Sequence, residues 1–488
     1  MSHVPHLQLQ LTVWVGCVAT DILPDDVLLI IFYFDRLEDV HPMHTSWHRL
    51  AHVCRRWRSL VFASPNFLDL RLVCGPRTRM ELIGIWPPFP ITITNRIDGP
   101  IHDNCDFNAA IAYRSRVREI NLRITSSQQL QRLASAMREP FPDLMHLNLE
   151  SARLLPALPD GFLGGSAPRL QSLRINYIPF PALPKLLLSA NRLVHLTLSN
   201  NIYDIPHPGY FSPGAIVTGL AMLVNLESLT ILFRSSVSLP DRERRHPPPQ
   251  IRTVLSSLTN FEFRGVTEYL EDLVARMDAP SLDSVCITLL YDHITEFSQL
   301  GRFMGLTARI QEFNEAHVVF DYFVEIKFLP PTRILDVRSE FRIPHDFVQW
   351  WTLTQVLISF SATFFSVYTV EHLYISSPGE PRWNYANMDW LDFFRPFTAV
   401  KTLYLCKKIA EFISSALQEL VGESVASVFP ALESIFLEEP EPSRPVQDAF
   451  RQFIAARQLS GHPVAVSQWN RTSEDTNFDF DEFLSILS

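Results

Sequence analysis

Apolar positions recur every three or four residues between Leu23 and Val61, then settle into a short motif that returns down most of the chain. In the first block Pro24 suits the opening position of a helix, where its missing N–H costs nothing. Asp25 and Asp26 follow at the positive end of the helix dipole. Pro24, Val27, Leu28 and Ile31 make one apolar stripe at helical spacing. A loop is expected from Asp35 to Thr45. In the second block Leu50, Val53, Cys54, Trp57 and Val61 keep the same spacing, with Arg55, Arg56 and Arg58 off the stripe, and Ser64-Pro65 ends the helix. Two or three short helices in about fifty residues make too small a core to be very stable alone, so part of their apolar surface calls for a partner.

From residue 88 onward the motif is apolar, two others, apolar, one other, apolar. It reads Val117, Ile120, Leu122, then Leu144, Leu147, Leu149, then Leu170, Leu173, Ile175. Copies follow with middle residues at Leu196, Leu229, Phe261 and Val285, and later at Leu373, Leu403 and Ile435. Successive middle positions are 27, 26, 23, 33, 32 and 24 residues apart, then 30 and 32 after a gap. Pro stands two residues before the first apolar position in Phe141-Pro142-Asp143-Leu144, Ala167-Pro168-Arg169-Leu170, Ala279-Pro280-Ser281-Leu282 and Phe429-Pro430-Ala431-Leu432. Gln128 to Met137 and Val266 to Met277 have helical periodicity between copies. Between 290 and 370 the motif degrades, and Ala316 to Phe320 and Ile334 to Val337 are expected as two further strands. Phe450 to Ile454 begins a helix, and His462 to Trp469 reads as a strand closing the open end of the array.

Composition narrows the function classes. The 488 residues exceed what one core normally holds. A hydrophobic share of 47% against 19% charged residues fits a folded chain rather than a disordered one. Net charge is −10, and the stretch from Arg471 to Ser488 sets one arginine against five carboxylates, a net −4. A chain without a basic face is a poor nucleic-acid binder. The frequent prolines, 36 against 16 glycines, suit stiff loops between short elements. Six scattered cysteines with no C-x-x-C pair suit a reducing compartment, cytoplasm or nucleus, and give no zinc module. The apolar stretch Leu7 to Ala19 is too short to span a bilayer and lacks a basic lead-in; it reads as a tail or short strand, or as a misplaced start of the reading frame. His44, His48 and His52 share a helical face with His41 before them, yet no carboxylate or thiolate completes a shell and Pro42 interrupts the helix, so no metal site is assigned. No phosphate-binding loop, dinucleotide fingerprint, nucleophile elbow or H-E-x-x-H occurs, so no enzyme and no cofactor is expected. Arg242 to Pro249 reads as a solvated loop.

Leu23-Pro24-Asp25-Asp26-Val27-Leu28, followed by Val53-Cys54-Arg55-Arg56-Trp57-Arg58 and Ala63-Ser64-Pro65, resembles an F-box of the fungal F-box-like type. That resemblance implies a three-helix module binding a Skp-family adaptor, and through it a cullin-based ubiquitin ligase. The family's adaptor contacts fall here on Leu23, Pro24, Val27, Leu28, Ile31, Val53, Cys54 and Trp57. The family's closing Pro-x-Leu-Trp is Pro65-Asn66-Phe67-Leu68 in this chain, and Phe67 is expected to fill the leucine's space. The returning motif resembles irregular leucine-rich repeats, each a strand plus a helix or loop. The asparagine such repeats carry three residues after the last apolar position occurs only at Asn201.

The expected fold class is therefore α/β: a short N-terminal three-helix F-box, then an irregular leucine-rich-repeat solenoid with a parallel sheet. The expected organisation is an extension over 1–19, the F-box over 20–70, repeats over 71–440, a C-terminal cap over 441–470 and an acidic tail over 471–488. The expected function is target recognition for the ligase, with an unknown target protein and no nucleic acid or membrane as partner; the alternative is a ligase-independent repeat scaffold. On the strands, residues alternating with the motif's apolar pair face away from the core. Tyr374, Tyr404 and Phe436 occupy the same such place in three successive late copies, an aromatic row suited to a target contact. The competing expectation is that the segment from Val464 onward, with Trp469, Phe478, Phe480 and Phe483, folds over those rings.

Overall fold

The computed structural model describes residues 23–37, 47–75, 84, 87–95, 111–151, 155–200, 212–233, 252–289, 298–306, 313–320, 323–329, 338–344, 365–377, 389–418, 428–438 and 443–469. The expected N-terminal extension, acidic tail, basic loop at 242–249, strand at 334–337 and repeat asparagine Asn201 lie outside them. The chain divides into two compact units between Arg123 and Ile124.

The first unit opens with α1 (Asp25–Leu37), α2 (Trp47–Val53) and α3 (Arg55–Ala63). The second apolar block reads as one helix by spacing, yet it is two, because Cys54 sits in extended backbone and caps α3. Leu28 and Phe32 of α1 are wholly buried, as are Ala51 of α2 and Val61 of α3. Strands β1 (Leu72–Cys74), β2 (Ile91–Thr94) and β3 (Val117–Ile124) follow, paired parallel in that order. The helices and strands share this unit through aromatic contacts: Phe89 lies 5.4 Å from Trp47 and 5.7 Å from Phe62. Trp47 Nε1 also donates to the Arg71 carbonyl at 3.0 Å. Burying those rings together stabilises the three helices beyond what their own small core supplies.

In the second unit each repeat contributes one strand. They are β4 (His146–Ser151), β5 (Ser172–Asn176), β6 (His195–Asn200), β7 (Ser228–Phe233), a short β8 (Thr253–Val254), β9 (Asn260–Gly265), β10 (Met277–Asp278) and β11 (Ser284–Leu289). β8 and β10 pair separately as a small parallel ladder. Then come β12 (Glu315–Phe320), β13 (Phe323–Leu329), β14 (Arg338–Pro344), β15 (His372–Ser376), β16 (Thr402–Leu405), β17 (Ser434–Glu438) and β18 (Ala465–Trp469). The middle apolar residues stand in register from strand to strand: Leu147, Leu173, Leu196, Leu229, Phe261, Val285, and later Leu373, Leu403, Ile435. The first, middle and last apolar residues of all these copies are buried, so the motif is the core.

Local chemistry explains how each strand begins. The amide of the first motif residue closes a turn onto the carbonyl three residues back: Leu144 to Phe141, Leu170 to Ala167, Leu282 to Ala279 and Leu432 to Phe429, all at 3.0–3.3 Å. In each of these the intervening Pro presets the backbone at the second turn position. One carbonyl per repeat then accepts two amides of the next, as Lys401 does from Glu433 and Ser434.

Helices return the chain between strands. Among them are α4 (Ser127–Ala136), α5 (Leu183–Leu187), α6 (Pro213–Leu220), α7 (Thr267–Val274) and α8 (Ser298–Gly305). Later ones are α9 (Trp390–Phe394), α10 (Lys407–Gln418) and α11 (Arg444–Leu459). Ser126 and Ser212 cap α4 and α6 by accepting amides at 3.2 Å. Among the described residues the repeat pattern is interrupted between β11 and β15. β12, β13 and β14 form an antiparallel meander, with β14 parallel to β11 and β12 parallel to β15. β13 was not expected, although Val324, Ile326 and Phe328 alternate with Glu325 and Lys327 at the strand period. Toward the C-terminus α11 is followed by β18, which pairs with β17 in parallel. Among the described residues no helix is long and apolar enough to cross a membrane.

Candidate functional site

Two surfaces carry the candidate residues, one in each unit. On the first, Asp25 at the start of α1 takes Arg56 of α3 in an ion pair of 2.6 Å, and Arg56 also donates to the Leu23 carbonyl. This fixes α1 against α3 and presents the α1 flank. Pro24 is exposed, Val27 and Ile31 are 36% and 45% exposed, and Val53 at the end of α2 is 59% exposed. Leu23, Cys54 and Trp57 are half-buried, and Leu28 is wholly buried. Cys54 acts on its own backbone: its Sγ accepts the Trp57 amide at 3.4 Å. Trp57 lies 4.6 Å from Phe32 and so supports α1 from beneath.

Sequence reading missed Ile30 and Phe34, which are 49% and 59% exposed and extend the Val27–Ile31 flank by one turn. It also misplaced Phe67. Leu68 is the residue that enters the core, while Phe67 stays exposed with its ring 5.6 Å from Tyr33. Solvent-facing Val, Ile and Phe over two turns of a helix are not explained by the internal core. The histidine cluster gives no centre among the described residues, where no three His, Cys, Asp or Glu side chains converge; His41 and His44 lie outside them. His48 is half-buried against Trp47, and burial, then the nearby His52, hold its imidazole below the ordinary value.

On the second surface the register puts Tyr374, Tyr404 and Phe436 directly beside one another on β15, β16 and β17. The rings stack face to face. Tyr374 and Tyr404 are 4.1 Å apart and 4° from parallel, and Tyr404 and Phe436 are 4.9 Å apart at 13°. His317 of β12 adds a fourth ring, 4.3 Å from Tyr374 and 19° from parallel. It was legible only once β12 was known to pair with β15. All four side chains are half-buried. The expectation that a later segment covers the row is met in one residue: Trp469 stands edge-on to Tyr374 and Tyr404 at 6.0 and 5.4 Å. Phe478, Phe480 and Phe483 lie outside the described residues. Glu315 stands 3.7 Å from His317, and Lys327 pairs with Glu325 at 3.3 Å on the neighbouring strands.

Residues 20–66 match the F-box-like family model. No curated protein matches the chain. Among solved structures, the leucine-rich repeat-containing protein LegL7 from Legionella pneumophila aligns over 79% of this chain and 97% of its own, with 12% identity and a TM-score of 0.26. At that TM-score the likeness bears on neither fold nor function.

Proposed function

We propose that this chain, whose residues 20–66 match the F-box-like family and whose later strands form a mostly parallel repeating sheet, is the target-recognition subunit of a cullin-based ubiquitin ligase. The observation that carries the reading is a coincidence of place. The span matching the F-box-like family is also the span whose first helix turns Val27, Ile30, Ile31 and Phe34 to solvent. In this reading Pro24, Val27, Ile31 and Val53 touch a Skp-family adaptor. Leu23, Cys54 and Trp57 contribute their exposed edges, and Leu28 supports the flank from inside. The repeats hold the target protein, with Tyr374, Tyr404 and Phe436 at the contact. The chain itself performs no chemistry, needs no cofactor, and acts in the cytoplasm or nucleus.

The alternative is a repeat scaffold that uses no ligase. Purification of the tagged full-length chain from its own cells separates the two. Recovery of a Skp-family adaptor and a cullin in stoichiometric amounts supports the ligase reading. Recovery of other proteins with neither of these supports the scaffold.

A further inference from the structure

A subunit of a ubiquitin ligase is tethered beside a ubiquitin thioester, at high effective concentration, so its own amines compete with those of the target for the acyl group. The basic side chains of this chain are almost all inert in that reaction: they are 37 arginines and five lysines. A guanidinium stays protonated and offers no electron pair, whereas a lysine amine can lose its proton and attack. The span matching the F-box-like family holds Arg36, Arg49, Arg55, Arg56 and Arg58 and no lysine, and the first lysine of the chain is Lys185. Guanidinium geometry accounts for some of these arginines, as where Arg56 forks onto Asp25 and the Leu23 carbonyl. It does not account for Arg55, Arg118, Arg132, Arg138 and Arg192, which are exposed and make no side-chain hydrogen bond or ion pair among the described residues. A lysine at such a surface site would carry the same charge with little change in stability. Arginine there keeps the charge and withholds the nucleophile.

All five lysines fall among the described residues, and four are engaged or partly covered. Lys327 on β13 pairs with Glu325 at 3.3 Å, with its side chain 20% exposed. Lys407 and Lys408 open α10 and are half-buried. Lys401 is exposed but stands 2.7 Å from Glu371, whose hydrogen bond and charge hold its ammonium above the ordinary value and so keep it protonated. Lys185 differs from all of these. It lies on α5, is exposed, and its ammonium has no hydrogen bond or ion pair among the described residues.

We infer that Lys185 is the residue at which this chain is itself ubiquitinated, and that the use of arginine elsewhere confines self-modification to it. This rests on the ligase reading and adds a modification site to it. In the step, the neutral Lys185 Nζ attacks the thioester carbonyl that joins the ubiquitin C-terminus to a cysteine of the conjugating enzyme. The N–C bond forms and the C–S bond breaks. The thiolate leaves and takes up the proton that the nitrogen gives up, so no oxidant or reductant is needed.

The test is a reconstituted reaction of the full-length chain with a Skp-family adaptor, a cullin, ubiquitin, its activating and conjugating enzymes and ATP, with no target added. Co-elution of the chain with adaptor and cullin is measured first, and conjugates are then mapped by tryptic digestion and mass spectrometry. The parent chain should carry ubiquitin on Lys185. Lys185→Arg should lose most of the conjugate while binding adaptor and cullin as before, and Lys401→Arg, which keeps a cation beside Glu371, should lose little. Adding Arg132→Lys and Arg192→Lys to Lys185→Arg should restore conjugation, at the new lysines. All these changes exchange one exposed cation for another, and far-UV circular dichroism checks that the fold is kept. Failure of the chain to co-elute with adaptor and cullin overturns the ligase reading and this inference with it. Co-elution with no conjugate on the parent, with conjugate spread equally over other residues, with undiminished conjugation of Lys185→Arg, or with no restoration by the added lysines overturns this inference alone and leaves the ligase reading standing.

Discussion

Tyr404 is the ring with the most to lose. It stacks on Tyr374 at 4.1 Å and on Phe436 at 4.9 Å, and it meets the edge of Trp469 at 5.4 Å. An aromatic pair contributes roughly 0.5–1.5 kcal/mol beyond its buried area. Three pairs set an upper bound near 4.5 kcal/mol; because they share one half-exposed ring and do not add fully, Tyr404→Ala should cost about 1.5–3 kcal/mol. Tyr404→Phe keeps every stack and should stay within about 0.5 kcal/mol of the parent. Repeat arrays unfold in parts, so a single global transition would blur the effect. Hydrogen exchange read by mass spectrometry on peptides spanning β15, β16 and β17 isolates it. A double-mutant cycle between Tyr404→Ala and Phe436→Ala should return a coupling of about 0.5–1.5 kcal/mol. A coupling near zero, or exchange in Tyr404→Ala indistinguishable from the parent, would show that the stacked geometry contributes nothing and refute the reasoning.

Three further outcomes follow from the packing. Leu28→Ala opens a cavity in the helical core and should cost about 2–5 kcal/mol, whereas Ile31→Ser on the exposed flank should stay within about 0.5 kcal/mol; equal losses in thermal melting would contradict the assignment of faces. Gly164 has φ of +64° and a Cβ there would sit 2.7 Å from Pro140 Cδ, so Gly164→Ala should cost about 1–3 kcal/mol, against little change for Gly161→Ala, which meets nothing within 4 Å. Burial holds the Glu271 carboxyl above its ordinary value, although it accepts the Gln299 and Leu300 amides at the start of α8. Its folded pKa exceeds the unfolded one, so its contribution is full at acid pH and is lost as pH rises through the raised value. Glu271→Gln should flatten that part of the stability profile, and an unchanged profile would count against the burial.

The repeats were legible because their motif is the core itself: a buried residue at three fixed positions leaves a mark that irregular spacing does not erase. The register that stacks Tyr374, Tyr404 and Phe436 followed from aligning those positions. The break was less legible. β13 alternates Val324, Ile326 and Phe328 with charged residues, a two-residue period that a search for the repeat motif passes over. α1 was hard for the opposite reason. Its run from Val27 to Phe34 is apolar on every side, so spacing cannot say which residues face inward; Leu28 and Phe32 do, and Val27, Ile30, Ile31 and Phe34 do not. That assignment makes Leu28 a poor probe of binding, since changing it disturbs the core first. Cys54 broke an otherwise continuous helical pattern through a single extended residue, which periodicity does not register.

The central claim is that the α1 flank docks a Skp-family adaptor, and calorimetric titration of the purified full-length chain with that adaptor tests it most directly. The account predicts saturable one-to-one binding that the double variant Val27→Ser plus Ile31→Ser removes, with circular dichroism and melting temperature nearly unchanged, because both side chains already face solvent. Absence of binding by the parent chain, or equal binding by the double variant, would contradict it.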